Sequence, residues 1–198
     1  MFSVGHLAFG YLSGRASSKL LNLNVNIPLL FLLSVLPDID LIIPIVEHRG
    51  PTHSIIVLCA LSLPAFMIYK KRAVPYFTAI AQHSLIGDYL TGEGVKMLWP
   101  VASNWYGAGI KMISLTNISL EWIFFLICLT VMLKTRDAWT LIQHHPSNLL
   151  LSIPFLTTLL PFFKFPMPIP PELILPHLGY LTLFTLSLLI DLFNLKTI

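Results

Sequence analysis

Long apolar runs separated by short polar segments dominate the chain, and this pattern predicts membrane-spanning helices. A helix needs about 20 mostly apolar residues to cross the hydrocarbon core of a bilayer. Several runs approach this length, and most prolines lie at or near the turns between them. The predicted spans are Ile27–Val46, Ser54–Tyr69, Ala73–Leu90, Asn117–Leu133, Asn148–Phe165 and Leu173–Phe193.

The N-terminal segment shows a weaker pattern of the same kind. In Met1–Leu20, apolar residues recur at helical spacing, but Gly5, Gly10 and Gly14 interrupt them. We expect a half-buried or re-entrant helix in this segment. The hydrophobic pattern as a whole therefore predicts an all-α, polytopic transmembrane bundle with about six spans plus the N-terminal helix.

Composition supports the membrane class and argues against two others. The 198 residues are 56% apolar and 11% charged, with a mean hydropathy of +0.80, whereas soluble domains carry about 25% charged residues. The 12 Lys and Arg residues are scattered, so no basic stripe indicates nucleic-acid binding. We predict a single membrane domain over residues 1–198, with the chemistry in residues 1–125, additional transmembrane helices over 126–198, and membrane lipids as its partners.

Positive charges predict the orientation of the chain. Lys and Arg favour the cytoplasmic side of a membrane, and placing Lys70, Lys71 and Arg72 there puts most of the other basic residues on the same side. We therefore expect a multi-pass protein of the plasma membrane. In this orientation, the polar groups described next lie toward the extracytoplasmic side.

Ionisable residues within the predicted spans indicate a metal site. A charged side chain at membrane depth costs about 2.5–3.5 kcal/mol on insertion scales, and such residues usually face a protein interior or a cavity. Carboxylates gathered without counter-charges repel one another, and a divalent cation removes this conflict. The oxygen and nitrogen ligands suit Zn²⁺, with Mn²⁺ or Fe²⁺ as alternatives. The residues concerned are Asp38, Asp40, His83, Asp88 and Glu121, with His6 in the N-terminal segment.

Two aspartates near the end of the first span differ in their predicted roles. Asp38 and Asp40 are two positions apart, so a regular helix turns them to nearly opposite faces. We assign Asp38 to the cation and Asp40 to a bridging or orienting role, unless Pro37 distorts the turn. The structural alternative is a helix break that Asp38 caps.

The string His48-Arg49-Gly50-Pro51-Thr52-His53-Ser54 is the most specific in the sequence. It places two histidines and an arginine around a Gly-Pro turn directly before a helix. We assign His53 to the cation, and His48 and Arg49 to an anionic group, because Arg offers bidentate binding to phosphate. The alternative is an ordinary interfacial loop.

The third span carries a pair with unusual spacing. His83 and Asp88 are five residues apart, whereas a regular helix brings together residues three or four apart. A π-bulge would restore a shared face; otherwise one of the two lies outside the ligand shell. On the fourth span, Glu121 is either part of the site or a residue near the start of a helix at the interface.

In chain order, these strings resemble the YdjM-like family of membrane-associated metal-dependent hydrolases. The resemblance covers about residues 1–125 and depends on Gly5-His6, Leu36–Asp40, His48–Ser54, and Asp88 through Leu98-Trp99-Pro100. It implies metal ligands at His6, Asp38, His53 and Asp88, supported by Asp40, His48, Arg49 and Glu121. The ligand order is also similar, at motif level, to that of zinc phospholipase C. One departure concerns His83, since the family places its histidine at the position of Ser84.

The leading hypothesis from the sequence is an integral-membrane, metal-dependent hydrolase of a phosphoester such as a phospholipid. An uncoordinated carboxylate, Asp40 or Glu121, would act as the general base, and His48 and Arg49 would stabilise developing negative charge. The alternative is a non-catalytic accessory subunit that holds a structural metal or polar site within a complex of membrane proteins. An ion pathway is a third reading, but no inverted repeat supports it.

Overall fold

The computed structural model describes residues 1–43 and 45–195. Within these ranges the regular structure is helical, and the only β features are two isolated bridges, Thr91 with Ile110 and Val95 with Tyr106. The all-α prediction is therefore confirmed for the described part of the chain.

Helix α1 (Ser3–Leu20) lies at the centre of the molecule. It packs against α2 (Ile27–Val35), α4 (Val74–Gln82) and α5 (Leu115–Lys134). A Cβ atom at Gly10 would lie 2.1 Å from the Cβ of Ser34, so glycine is what allows α1 and α2 to approach so closely. The glycines that weakened the predicted helix are thus packing positions, and α1 is more deeply buried than the sequence indicated.

The first half of the chain consists of short helices rather than full spans. The predicted span from Ile27 divides at Pro37, where a 3₁₀ helix (Leu36–Ile42) follows α2. Ser54 caps the N-terminus of α3 (Ile55–Tyr69), accepting a hydrogen bond from the backbone of Val57. With 15 residues, α3 extends about 22 Å, less than the roughly 30 Å of a hydrocarbon core.

The predicted third span is also interrupted. A basic 3₁₀ turn (Lys70–Ala73) leads into α4, and α4 continues as a π-helix (His83–Asp88). The prediction of about six spans is consequently not confirmed. Within the described residues, three helical segments are long and apolar enough to cross a membrane: Leu115–Lys134, Pro146–Phe163 and Pro171–Phe193.

The second half of the chain supplies these candidate spans. α5 is followed by the short α6 (Asp137–Leu141), α7 (Ser152–Leu159) is flanked by 3₁₀ turns, and α8 (Ile174–Leu195) ends the described chain. Aromatic rings connect α8 to the first half: the ring centroid of Phe31 on α2 lies 5.5 Å from that of Tyr11 on α1 and 5.4 Å from that of Phe184 on α8. This packing holds α1 and α2, which position the site, against the membrane helices.

Candidate metal centre

Four side chains from three short segments converge at one buried point. Asp38 comes from the 3₁₀ helix after α2, His53 from a second 3₁₀ turn (Pro51–His53), and His83 and Asp88 from the two ends of the π-helix. One ligand atom from each of the four lies within 4.8 Å of the others. We call Asp38, His53, His83 and Asp88 the metal cluster.

The π-helix explains how His83 and Asp88 reach the same point. Its wider turn aligns residues about five positions apart, and His83 Nε2 lies 3.3 Å from Asp88 Oδ2. The structure therefore has the π-helical turn that the spacing in the sequence requires to bring His83 and Asp88 to the same face of the helix. His83 enters the cluster although Ser84 occupies the position that the family resemblance gives to histidine.

The spacing of the ligand atoms fits a small divalent ion. Tetrahedral coordination with bonds of about 2.0–2.1 Å places ligand atoms about 3.3 Å apart. In the cluster, His53 Nε2 lies 3.2 Å from His83 Nε2, 3.1 Å from Asp88 Oδ2 and 3.5 Å from Asp38 Oδ1. His83 Nε2 lies 3.3 Å from Asp38 Oδ1. The donor atoms of these residues therefore already lie at the distances that tetrahedral metal coordination requires.

Hydrogen bonds fix the ring orientation of both histidines. His83 Nδ1 lies 2.7 Å from the backbone oxygen of Ser34, which can only accept, so Nδ1 donates and Nε2 faces the cluster. His53 has the same arrangement, with Nδ1 3.2 Å from Asp40 Oδ2 and Nε2 inward. Two inward-facing Nε2 atoms and two carboxylates form a donor set that a cation stabilises once the Nε2 atoms are deprotonated.

Asp40 holds the surroundings of the cluster together without entering it. Its carboxylate accepts hydrogen bonds from Thr52 Oγ1 at 2.6 Å and from the backbone of Arg49 at 3.3 Å, and lies 2.9 Å from His48 Nδ1. Burial alone would raise the pKa of Asp40, but its hydrogen bonds with His48, His53 and Thr52 hold the pKa below its ordinary value. The assignment of Asp38 toward the cation and Asp40 to an orienting role agrees with this placement.

Three carboxylates act on the ring of His53. Burial alone would lower its pKa, but hydrogen bonds and charges from Asp38, Asp40 and Asp88 outweigh burial and raise the pKa well above its ordinary value. A cation that binds at Nε2 must displace this proton, so metal binding is coupled to proton release. Asp40, His48 and His53 also form a second group with ligand atoms in close range.

Arg49 lies directly beside the metal cluster. Its Nη2 atom is 2.9 Å from Asp88 Oδ1, and its Nη1 donates to the backbone oxygen of Thr91 at 2.9 Å. A Cβ atom at Gly92, where φ is +78°, would lie 2.4 Å from Nη1. Glycine therefore leaves the space that the guanidinium occupies.

His6 packs against the cluster from α1. Its ring stacks on His83 with a centroid distance of 3.7 Å, and its Nε2 lies 3.5 Å from Asp88 Oδ1. It is not among the four side chains with mutually close ligand atoms, and its buried Nδ1 has no hydrogen-bond partner among the described residues. A Cβ atom at Gly87 would lie 2.4 Å from the His6 ring, so Gly87 makes room for the stack.

Glu121 lies away from the metal cluster. Its Oε1 accepts a hydrogen bond of 2.6 Å from the backbone of Phe2, at the start of α1, and its Oε2 is buried without a hydrogen-bond partner among the described residues. The carboxylate thus anchors the helix that carries His6. Elsewhere, His144 pairs with Asp191 at 2.9 Å on the second half of the chain.

A pocket of about 230 Å³ opens on the cluster from one side. Its lining includes Asp38, His48, Arg49 and Asp88, but not His53 or His83. Neither Asp40 nor Glu121 lines it. The pocket therefore gives a ligand access to the carboxylate side of the cluster, next to the guanidinium of Arg49.

Sequence reasoning missed several groups that build this site. The backbone oxygen of Ser34 has no side-chain signature, and α7, which forms a wall of the pocket, was predicted as a plain membrane helix. Thr52 stood in the string around the Gly-Pro turn without an assigned role, although a hydroxyl between two histidines was a signal for a hydrogen bond to a buried acid.

Comparison with known protein families gives a match over most of the chain. Residues 1–165 match the family described as YdjM inner membrane protein. The chain belongs to the YdjM inner membrane protein family. The match extends beyond the predicted 1–125 and includes α7, and with it the pocket wall. No curated protein and no solved structure matches the chain, so the similarity to zinc phospholipase C has no support beyond the motif.

Proposed function

We propose that this member of the YdjM family is a metal-dependent hydrolase that cleaves a phosphoester in a membrane lipid. The observation that carries the proposal is the cluster of two histidine Nε2 atoms and two carboxylates, of which the carboxylates Asp38 and Asp88 line a pocket. Hydrolases use such mixed nitrogen and oxygen sites, and Arg49, which lines the same pocket, suits a phosphate. Zn²⁺ is the proposed metal, with Mn²⁺ and Fe²⁺ as alternatives.

The metal cluster would hold the ion, with His6 as a supporting residue that stacks on His83. When bound, a divalent ion polarises a phosphoryl oxygen and lowers the pKa of water toward about 7. Arg49, already aligned by Asp88 and Thr91, contacts the phosphate and offsets its growing negative charge.

His48 is the group proposed to move the proton. Its side chain is 39% exposed and lines the pocket, and its Nδ1 is held by Asp40 at 2.9 Å. The water oxygen forms a bond to phosphorus while the ester P–O bond breaks; His48 takes the water proton and returns it to the leaving oxygen. This assignment replaces direct base catalysis by Asp40 or Glu121, because neither carboxylate lines the pocket.

The proposed location of the site is the extracytoplasmic side of the inner membrane. The basic turn Lys70–Ala73 and the π-helix lie at opposite ends of α4. Positive charges favour a cytoplasmic basic turn, and the metal cluster lies at the end of α4 away from that turn. The proposed side depends on these charges and not on a span, because α4, with 9 residues, is too short to cross a membrane alone.

The test combines metal analysis with a phosphodiesterase assay on protein purified in mild detergent. We expect about one equivalent of divalent metal per chain and hydrolysis of a phospholipid, both lost in His53→Ala. His145→Ala removes an exposed histidine of the second half and serves as the matched control. Protein without divalent metal, or hydrolysis unchanged in His53→Ala, contradicts the proposal.

A second candidate function is a structural metal site in an accessory subunit of a membrane complex. It is favoured by the number of close ligands, because four protein ligands complete a tetrahedral shell and structural zinc sites are closed in this way. X-ray absorption of the metal-loaded protein separates the two functions. A water ligand beside the four side chains supports catalysis, whereas a closed shell with co-purifying partner subunits supports the structural role.

A further inference from the structure

We propose that the pocket beside the metal cluster binds the beginning of one hydrocarbon chain of the substrate, and that α7 sets which chains fit. This inference rests on the proposed function, since it assigns the phosphate of the same molecule to the metal cluster. It goes further by naming a tail site and the residues that form it.

The lining of the pocket combines two kinds of residue. One group is polar and consists of the two carboxylates of the cluster, His48 and Arg49. The rest of the lining is mostly apolar and includes residues of the 3₁₀ helix after α2, of α7 and of the turn that follows α7. The apolar residues include Ile39, Ile42, Ile153, Leu156, Leu160 and Phe165. A lining that joins basic and metal-ligating groups to apolar side chains fits a molecule with an anionic head and a hydrocarbon tail.

Two apolar residues that line the pocket are largely exposed. Ile42 is 66% exposed and Leu156 is 51% exposed. Leu156 belongs to the segment Pro146–Phe163, which is long and apolar enough to cross a membrane. Exposed apolar side chains are stabilised by contact with hydrocarbon, so a lipid chain would reach the pocket past these two residues.

The size of the pocket limits how much of a lipid it holds. At about 230 Å³, it is smaller than the roughly 300–1,000 Å³ of sites that enclose a whole drug-sized ligand. It therefore accommodates the segment of one chain that adjoins the head, while the rest of that chain, and any second chain, stays in the bilayer. Leu156 and Leu160, one helical turn apart on the same wall, determine the width available.

Photolabelling tests this inference without requiring turnover. The full chain is placed in lipid nanodiscs and irradiated with dodecyl phosphate that carries a diazirine on its chain. A dodecyl trimethylammonium probe with the same diazirine is the head-group control. We expect the phosphate probe to label the peptides around Ile39–Ile42 and Ile153–Leu160, and the cationic probe to label exposed membrane surfaces without this preference.

Substitutions that fill the pocket give the second measurement. In Leu156→Trp and, separately, Leu160→Trp, labelling at these peptides should fall about tenfold, the effect expected when about two methylene groups lose their apolar contacts. Leu149→Trp is the matched control, because Leu149 is exposed in the same segment but does not line the pocket. Metal content and elution as a single species confirm that each variant is folded.

The outcomes separate this inference from the proposed function. Labelling spread over all exposed helices, or unaffected by both pocket-filling variants, overturns the tail site even if the protein hydrolyses phosphoesters. Pocket labelling that both variants abolish supports the tail site; if it occurs without hydrolysis of any phosphoester, the hydrolase proposal fails and the amphiphile-binding site stands.

Discussion

His83 and Asp88 are five residues apart in the sequence, yet His83 Nε2 lies 3.3 Å from Asp88 Oδ2. A π-helical turn over His83–Asp88 makes this contact. The same turn leaves His83 Nδ1 free to donate to the backbone of Ser34 on α2. One irregular turn therefore supplies two ligands of the metal cluster and ties them to the neighbouring helix.

This relationship predicts that His83, and not Ser84, contributes to metal binding. We expect His83→Ala to lower the affinity for Zn²⁺ by more than about 100-fold, the upper end of the loss seen when only an outer partner is removed. Ser84→Ala should leave the affinity unchanged, because Ser84 Oγ is buried without a hydrogen-bond partner among the described residues. Chelator competition on the purified proteins measures both. A larger loss in Ser84→Ala than in His83→Ala contradicts the assignment.

The sequence singled out the four residues that the structure brings together, but it also assigned His6 to the metal, and His6 is not among the four. Asp38, His53, His83 and Asp88 stood out because acids and histidines are costly in apolar surroundings. The predicted long spans are not confirmed in the first half, where Pro37 and the π-helix break regular helices at the ligands. Hydropathy is averaged over a window of residues, so it does not detect a proline break or a π-helical turn within an apolar run.

Asp40 is predicted to position the histidines rather than to bind the metal. Asp40→Asn removes the charge that orients His53 and His48 while keeping the shape of the side chain. We expect metal affinity to fall about 10- to 100-fold, less than in His83→Ala. The control is Glu47→Gln, which removes a nearby carboxylate that pairs with Lys96 at 2.7 Å. Equal affinities in the two variants, determined by calorimetric titration, would show that Asp40 has no positioning role.

Gly87 is predicted to be required for the stacking of His6 on His83. A Cβ atom there would lie 2.4 Å from His6 Cε1 and 2.6 Å from Nδ1, so Gly87→Ala should destabilise the protein by about 1–3 kcal/mol. The double variant Gly87→Ala with His6→Ala removes the ring that clashes. Its loss of stability should be smaller than the sum of the two single losses. If denaturant unfolding shows that the stability losses of the two single variants add up in the double variant, the methyl group added in Gly87→Ala does not clash with the His6 ring.

The polar contacts at the other end of α1 are predicted to affect stability alone. Tyr11 Oη donates to Asp137 Oδ2 at 2.6 Å, and Arg15 Nε lies 2.9 Å from the same oxygen. Asp137→Asn should cost about 1.5–3 kcal/mol, the range for hydrogen bonds to a charged group. Tyr11→Phe should cost less, because the Arg15 pair remains. Metal affinity should stay unchanged in both variants, and a change of more than a few-fold would connect this end of α1 to the site.

Metal binding is predicted to stabilise the folded chain through the cluster. An ion that binds only the folded state adds about 2.7 kcal/mol at a free concentration 100 times its Kd. Thermal unfolding of detergent-solubilised protein should therefore shift upward when Zn²⁺ replaces EDTA. The shift should persist in His145→Ala and disappear in His53→Ala, because His53 Nε2 lies within 3.5 Å of the ligand atoms of the other three cluster residues. A shift of equal size in His53→Ala would mean that the stabilising ion binds outside the cluster.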